Sequence, residues 1–137
     1  MRFLAWHVDY LKAEPTERGR SSVVEEPRPV SAQNALLVFV HVEKGDEDRQ
    51  AAVVEKATNE IASIAGQLKV RTIVLNPFAH LFAEPSKPEI AVDLLGRIYA
   101  ALAEKGFEVL RLSFGSFYEL ELKAKGHRIA RVARTVP

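Results

Sequence analysis

The chain has 137 residues, 47% of them apolar and 27% charged, with a formal net charge of +1, a size and balance that suit one domain, 1–137, with its own buried core. It contains no cysteine, which excludes a disulfide framework and thiolate chemistry. No apolar run reaches the ~18 residues of a membrane span, and the start, Met1-Arg2-Phe3-Leu4-Ala5-Trp6-His7-Val8-Asp9, has neither the apolar run nor the small-residue cleavage site of a signal peptide, so cytoplasmic residence without a membrane partner is expected.

Residues 2–8 read as a strand of mixed apolar character, and Tyr10-Leu11-Lys12-Ala13-Glu14 continues it after a turn near Asp9. From 15 to 33 the chain is punctuated by Pro15, Gly19, Pro27 and Pro29 among charges, which predicts a long excursion or irregular hairpin rather than an interdomain linker. Ala35-Leu36-Leu37-Val38-Phe39-Val40-His41-Val42 is a nearly continuous apolar run and predicts a central strand covered on both faces. Gly45-Asp46-Glu47-Asp48 ends it and supplies acids to a helix start. Val53, Val54, Ala57, Ile61, Ile64, Ala65 and Leu68 then form one stripe at helical spacing.

A third strand is expected over 70–75 and a loop over 77–87. Pro88 and Gly106 bracket a second helix, 88–105, with the stripe Ala91, Leu94, Leu95, Ile98 and Leu102. Residues 107–112 alternate as a half-buried strand, Gly115 marks a turn, 117–124 alternate again, and 128–135 form a last strand or a helical turn. This order gives an α/β domain with a mixed β-sheet and two main helices. The 36–75 segment is a β-α-β crossover, and the last strands, joined by short turns, are expected to run antiparallel.

Several chemistries drop out. His7, His41, His80 and His127 lack metal-ligand spacing, so no metal is expected. No dinucleotide or phosphate-loop signature occurs, and no Gly-x-Ser-x-Gly elbow, so no cofactor is expected either. Ser113 and Ser116 flank Phe114-Gly115 without a nearby acid–base pair. Residues 122–137 carry five positive charges, Lys123, Lys125, Arg128, Arg131 and Arg134, and no acid; this is a solvated basic face or a surface for a phosphate backbone. His80 stands just past the third strand on a loop opened by Pro77, where strand scaffolds present groups to ligands. On local sequence alone it is either a hydrogen-bonded loop histidine or a pocket group.

An ordered series narrows the choice: His7-Val8-Asp9-Tyr10 after the first strand, Val42-Glu43-Lys44 after the second, Pro77-Phe78-Ala79-His80-Leu81 after the third, then Lys87-Pro88, Phe114-Gly115 and Lys125-Gly126-His127. Together these resemble the N-terminal editing domain of archaeal threonyl-tRNA synthetases over essentially the whole chain. The resemblance implies a D-aminoacyl-tRNA deacylase-like fold assembled as a homodimer. It also implies hydrolysis of the ester joining L-serine to the 3′ end of threonine tRNA, with threonyl-tRNA spared and the terminal 2′-hydroxyl helping to activate the attacking water. The implied partners are that tRNA and the aminoacylation domain of a threonyl-tRNA synthetase; a freestanding protein and an excised domain both remain open.

By the resemblance, His80 positions substrate or water, Pro77, Phe78 and Ala79 offer main-chain contacts, and Val42, Glu43 and Lys44 form a second wall. Lys125, His127 and Arg128 are expected to meet tRNA. The chain departs from the family at Phe117, where a tyrosine is expected, at Tyr118, where better-known members carry a lysine near the reacting ester, and at Arg131, in place of a glutamate. Phe117 and Tyr118 are still expected at the substrate, and Lys12 is the candidate for the displaced cation, as a catalytic group beside His80. Two alternatives stand: a D-aminoacyl-tRNA deacylase, and a non-catalytic module for tRNA binding or dimerisation.

Overall fold

The computed structural model describes residues 1–82 and 84–137; residue 83, inside the expected 77–87 loop, lies outside the described residues. Six strands and two helices follow one another as β1 (Arg2–Arg18), β2 (Val30–His41), a 3₁₀ turn (Asp46–Arg49), α1 (Gln50–Leu68), β3 (Thr72–Pro77), α2 (Pro88–Glu104), β4 (Glu108–Arg111), β5 (Ser116–Ala124) and β6 (Arg131–Thr135). They make one mixed sheet in the order β4-β3-β2-β1-β5, with β6 also paired to β1. β1 is antiparallel to β2, β5 and β6, whereas β2, β3 and β4 run parallel.

The apolar run of β2 has the burial its sequence predicts. Leu36, Val38 and Val40 face a core built with α1 and α2, while Ala35, Leu37 and Phe39 face a second core on the opposite side. Both helical stripes bury themselves in the first core: Val53, Ala57, Ile61, Ile64 and Ala65 from α1, and Ala91, Leu94, Leu95, Ile98 and Leu102 from α2. Removing one of these large side chains would cost about 2–5 kcal/mol.

Two expectations change. Asp9 is not a turn: β1 is one strand of 17 residues, and its register against β5 shifts between Val8 and Tyr10. At the same level Asn34 of β2 adopts a positive φ of 47°, a conformation asparagine tolerates better than most residues. The inward face then passes from Val8 to Leu11 and from Ala35 to Ala32, the face switch that an extra residue imposes on a two-residue period. The second change concerns the C-terminal strands. β4 does not form a hairpin with β5; it pairs parallel with β3 after the α2 crossover.

β4 and β5 are the opposite ends of the strand order, yet only residues 112–115 join them. So short a link requires the sheet to curl until its edges approach, as in an unclosed barrel. The seam is bridged by the 19–29 excursion. The Gly19 N–H donates to the Gly115 carbonyl at 2.7 Å, and the Glu25 N–H donates to that of Phe114 at 3.0 Å. The Tyr118 hydroxyl donates to the Arg28 carbonyl at 3.0 Å and accepts from the N–H groups of Ser113, at 3.1 Å, and Arg28, at 3.3 Å. Gly115 sits at φ +85°, and a Cβ there would lie 2.7 Å from the Val23 carbonyl oxygen, so the turn requires glycine both for conformation and for space.

Candidate active site

The concave side of the curl holds an open cleft of about 390 Å³. Phe39 and Asn76 form its floor, Pro77, Phe78, Ala79 and His80 one wall, and the seam from Leu112 to Tyr118 the other, with Gly19, Arg20 and Ser21 at the rim. The first wall exists because β3 ends at Pro77, which has no N–H with which to extend the ladder. Phe78 then donates its N–H to the Val40 carbonyl at 2.8 Å, and its own carbonyl accepts from the Leu81 N–H at 3.4 Å. The loop is thus a tight turn pinned to the end of β2.

A second, far smaller cavity, about 20 Å³, lies behind the same loop. Val40, Val42 and the start of α2 enclose it, and it shares Pro77, Phe78, Ala79 and Phe114 with the large cleft. The loop therefore offers one surface to an open site and the other to a space of roughly one small group.

Of the expected site residues, the structure brings Pro77, Phe78, Ala79, His80, Phe117 and Tyr118 together around the cleft, and Val42 around the small cavity. His80 is exposed at the mouth. Phe117 is 58% exposed, a large apolar surface beside a polar opening. Glu43 and Lys44 follow Val42 but are engaged elsewhere. The Glu43 carboxylate meets the Met1 ammonium at 3.2 Å and Arg2 Nε at 3.3 Å, and Lys44 pairs with Glu84 at 3.2 Å. Beside them Asp46, only 1% exposed, takes the Met1 ammonium at 2.9 Å, Arg49 at 3.0 Å and the Glu43 N–H at 2.8 Å. The acid expected to serve a helix dipole is thus the centre of a buried ion cluster.

Lys12 lies on the exposed side of β1, opposite Ser31 and Glu121 and turned away from the inward-facing Leu11 and Ala13. It is not among the residues around the cleft. Lys125 and His127 stand at the far end of β5 from Tyr118, about 23 Å along the strand at ~3.3 Å per residue. Both are tied to β1: Lys125 Nζ pairs with Asp9 at 2.5 Å, and His127 Nε2 lies 2.9 Å from His7 Nδ1. The other ring nitrogen of His7, Nε2, donates to Asn34 Oδ1 at 2.9 Å, so this line of side chains braces the strands at the bulge. The Lys125 hydrogen bond, more than any other influence, holds the Asp9 carboxyl below its ordinary 3.8. Arg128 is exposed, and Arg131 lies over the Trp6 ring with its guanidinium carbon 5.9 Å from the centroid.

Arg20, Asn76 and the Ser113–Ser116 turn are cleft residues that sequence reasoning did not assign to the site. The pair of glycines, Gly19 and Gly115, carried the available signal: a Cβ on Gly19 would come within 2.9 Å of the Gly115 oxygen, so two distant turns had to touch. Ser113 donates its hydroxyl to the Glu26 carbonyl at 2.6 Å, and Ser116 Oγ is buried with no partner among the described residues. The cleft thus offers the side chains of Arg20, Asn76 and His80 beside apolar surface. Among the described residues no three acidic or histidine side chains gather as metal ligands, and no helix is long and apolar enough to cross a membrane.

A curled mixed sheet with two helices packed against one face and an open cleft on the other is a single-domain α/β architecture. A solved structure described as a c-Myc DNA unwinding element binding protein superposes with a TM-score of 0.70 and 11% identity, over 100% of this chain and 99% of that one. The chain belongs to the archaea-specific editing domain of threonyl-tRNA synthetase, whose family model matches residues 1–136. Its relatives include the threonine–tRNA ligases of Thermococcus kodakarensis, 40% identical, Methanopyrus kandleri, 37%, and Methanocaldococcus jannaschii, 35%. Each match covers 99% of this chain and 22% of the relative, so the chain spans about a fifth of the length of these proteins.

Proposed function

We propose that this domain proofreads threonine tRNA by hydrolysing the ester of L-seryl-tRNA(Thr) while sparing L-threonyl-tRNA(Thr). The observation that carries the reading is the cavity of about 20 Å³ behind the 77–80 loop. A space of ~10–15 Å³ holds one water-sized group. A recess on that scale suits a hydroxymethyl, and the reading requires it to be too small for threonine's extra methyl. That is the sieve a synthetase needs, because a binding site that accepts threonine rejects the smaller serine by only ~1–3 kcal/mol.

In this reading the main chain of Pro77, Phe78 and Ala79 holds the amino acid, and the terminal adenosine lies in the large cleft against Phe117. His80 at the mouth positions substrate or water. Ester hydrolysis needs a placed water and donors for the developing oxyanion, which main-chain N–H groups supply together with the 2′-hydroxyl of the terminal ribose. Tyr118 and Arg131 occupy the positions where the family carries a lysine and a glutamate, so the proposed chemistry depends on neither side chain. Lys125 follows the end of β5, about 17 Å along the strand from Leu120 at the cleft, with His127 and Arg128 just beyond it, and the three would meet the tRNA body rather than its reacting end. Homodimer assembly, an attached aminoacylation domain and work in the cytoplasm belong to the same reading.

The test compares deacylation of seryl- and threonyl-tRNA(Thr), each with and without the terminal 2′-hydroxyl, with a D-aminoacyl-tRNA as a further arm. Fast loss of serine alone, slowed without the 2′-hydroxyl, is the expected outcome. Preference for the D-aminoacyl ester would move the assignment to chiral proofreading, and tRNA binding with no hydrolysis would make the chain a binding module.

A further inference from the structure

The loop that carries the proposed recognition is held by a residue outside both cavities. His41 ends β2 and is 0% exposed. Its Nδ1 lies 3.2 Å from the Phe78 carbonyl oxygen. A carbonyl can only accept, so Nδ1 carries the hydrogen and His41 is the donor. The Phe78 peptide is therefore fixed on both sides by β2: its N–H to the Val40 carbonyl at 2.8 Å, its C=O by the imidazole one residue further on. The other ring nitrogen, Nε2, is buried and has no hydrogen-bond partner among the described residues. A side chain present only to fill this space would do so more favourably as a hydrocarbon, because a buried polar atom without a partner costs free energy. The polar group is explained by the one bond it makes.

The imidazole is sealed from outside by a stack. The Phe82 ring lies 6.1 Å from it, tilted 55°, and Arg2 caps Phe82 with its guanidinium carbon 4.5 Å from the ring centroid. Glu43 holds Arg2 from behind at 3.3 Å. This gives Glu43, expected at the substrate, an indirect part in shaping the same loop.

We infer that His41 is a positioning residue for the deacylation site: as an Nδ1–H donor it sets the Phe78 peptide plane, and with it the main chain of Phe78 and Ala79 that meets the amino acid. The inference rests on the proposed function only in what the loop recognises; the donor role itself is independent of it. Asparagine places an N–H where Nδ1 stands, glutamine places one nearer Nε2, and phenylalanine fills the volume with no donor. The test measures wild type, His41→Asn, His41→Gln and His41→Phe for seryl-tRNA(Thr) deacylation, for amide hydrogen exchange over 78–81, and for the His41 tautomer by ¹⁵N NMR of the wild-type ring.

The expected pattern is a ring that carries its hydrogen on Nδ1 in the wild type. His41→Asn stays within about threefold of wild type, while His41→Gln and His41→Phe lose about tenfold to hundredfold in kcat/KM, the scale of a misplaced reacting geometry, and exchange faster at 78–81. Circular dichroism identifies a variant that has lost its fold, and the wild-type tautomer needs no variant. A ring whose only hydrogen is on Nε2 overturns the inference, as does a folded His41→Phe with wild-type rate and exchange, or a folded His41→Asn as impaired as His41→Phe. If wild type hydrolyses none of the esters, the functional reading fails, and the tautomer and exchange still decide the role of His41.

Discussion

His80 is exposed at the mouth of the cleft, and exposure sets what it can do. An exposed imidazole lacks the low-dielectric surroundings that make a buried acid–base group potent, which favours the proposed positioning of a water or ribose oxygen over general-base work. His80→Ala is expected to lower kcat/KM for seryl-tRNA(Thr) by about tenfold to hundredfold without bringing it to the uncatalysed rate. Lys12→Ala, on the outer side of β1, is expected to leave the rate unchanged in the same assay. Wild-type behaviour of His80→Ala would remove the imidazole from the site.

The turn between β4 and β5 is the element on which the cleft depends most. Gly115 at φ +85° has Val23 and Val24 within reach of any added Cβ. Gly115→Ala is expected to cost at least ~2 kcal/mol, from the left-handed conformation and the collision together, read as a lower unfolding midpoint in urea. Comparable stability of that variant would mean the excursion can retreat from the turn at no cost. Much of the fold was legible in local pattern: the two-sided run of β2, the helical stripes and the cap at Gly106 depend on neighbours in sequence. What was not legible depends on distant ones. β4 alternates like any half-buried strand, and nothing in 107–112 says that its partner is β3 rather than β5. The bulge at Asp9 likewise needs Asn34 and β5 opposite it. The 77–80 wall could be read because a proline ends a strand there, while the opposite wall required two remote glycines to meet. Lys12 was placed by closeness in sequence to His7, and the bulge between them leaves both on the face of β1 away from the second core, to which Leu11 and Ala13 turn.

For the molecule as a whole, one phenol joins the main-chain bonds of Gly19 and Glu25 in closing the curl. Tyr118 spends its hydroxyl on Ser113 and on both main-chain groups of Arg28, binding β5, the β4 end and the excursion into one seam. Tyr118→Phe is expected to destabilise the fold by ~1–3 kcal/mol, the cost of stranding half-buried main-chain groups, with little change in the secondary structure seen by circular dichroism. An unchanged melting temperature would show that water takes over all three bonds.

β1 has a further consequence for how the chain reaches this state. Its edge opposite β2 is covered in two pieces, by β6 over Arg2 to Trp6 and by β5 from Val8 to Arg18. β1, the earliest strand of the domain, thus waits for β5 and β6 before its hydrogen-bonding edge is covered. Contacts of such separation are slow to form, and a domain that has made the hairpin and both crossovers still shows a long open edge to its neighbours. Charges are spaced along that edge, from Asp9 and Lys12 to Glu14, Glu17 and Arg18, the kind of residue that discourages an unfinished edge from pairing with another copy.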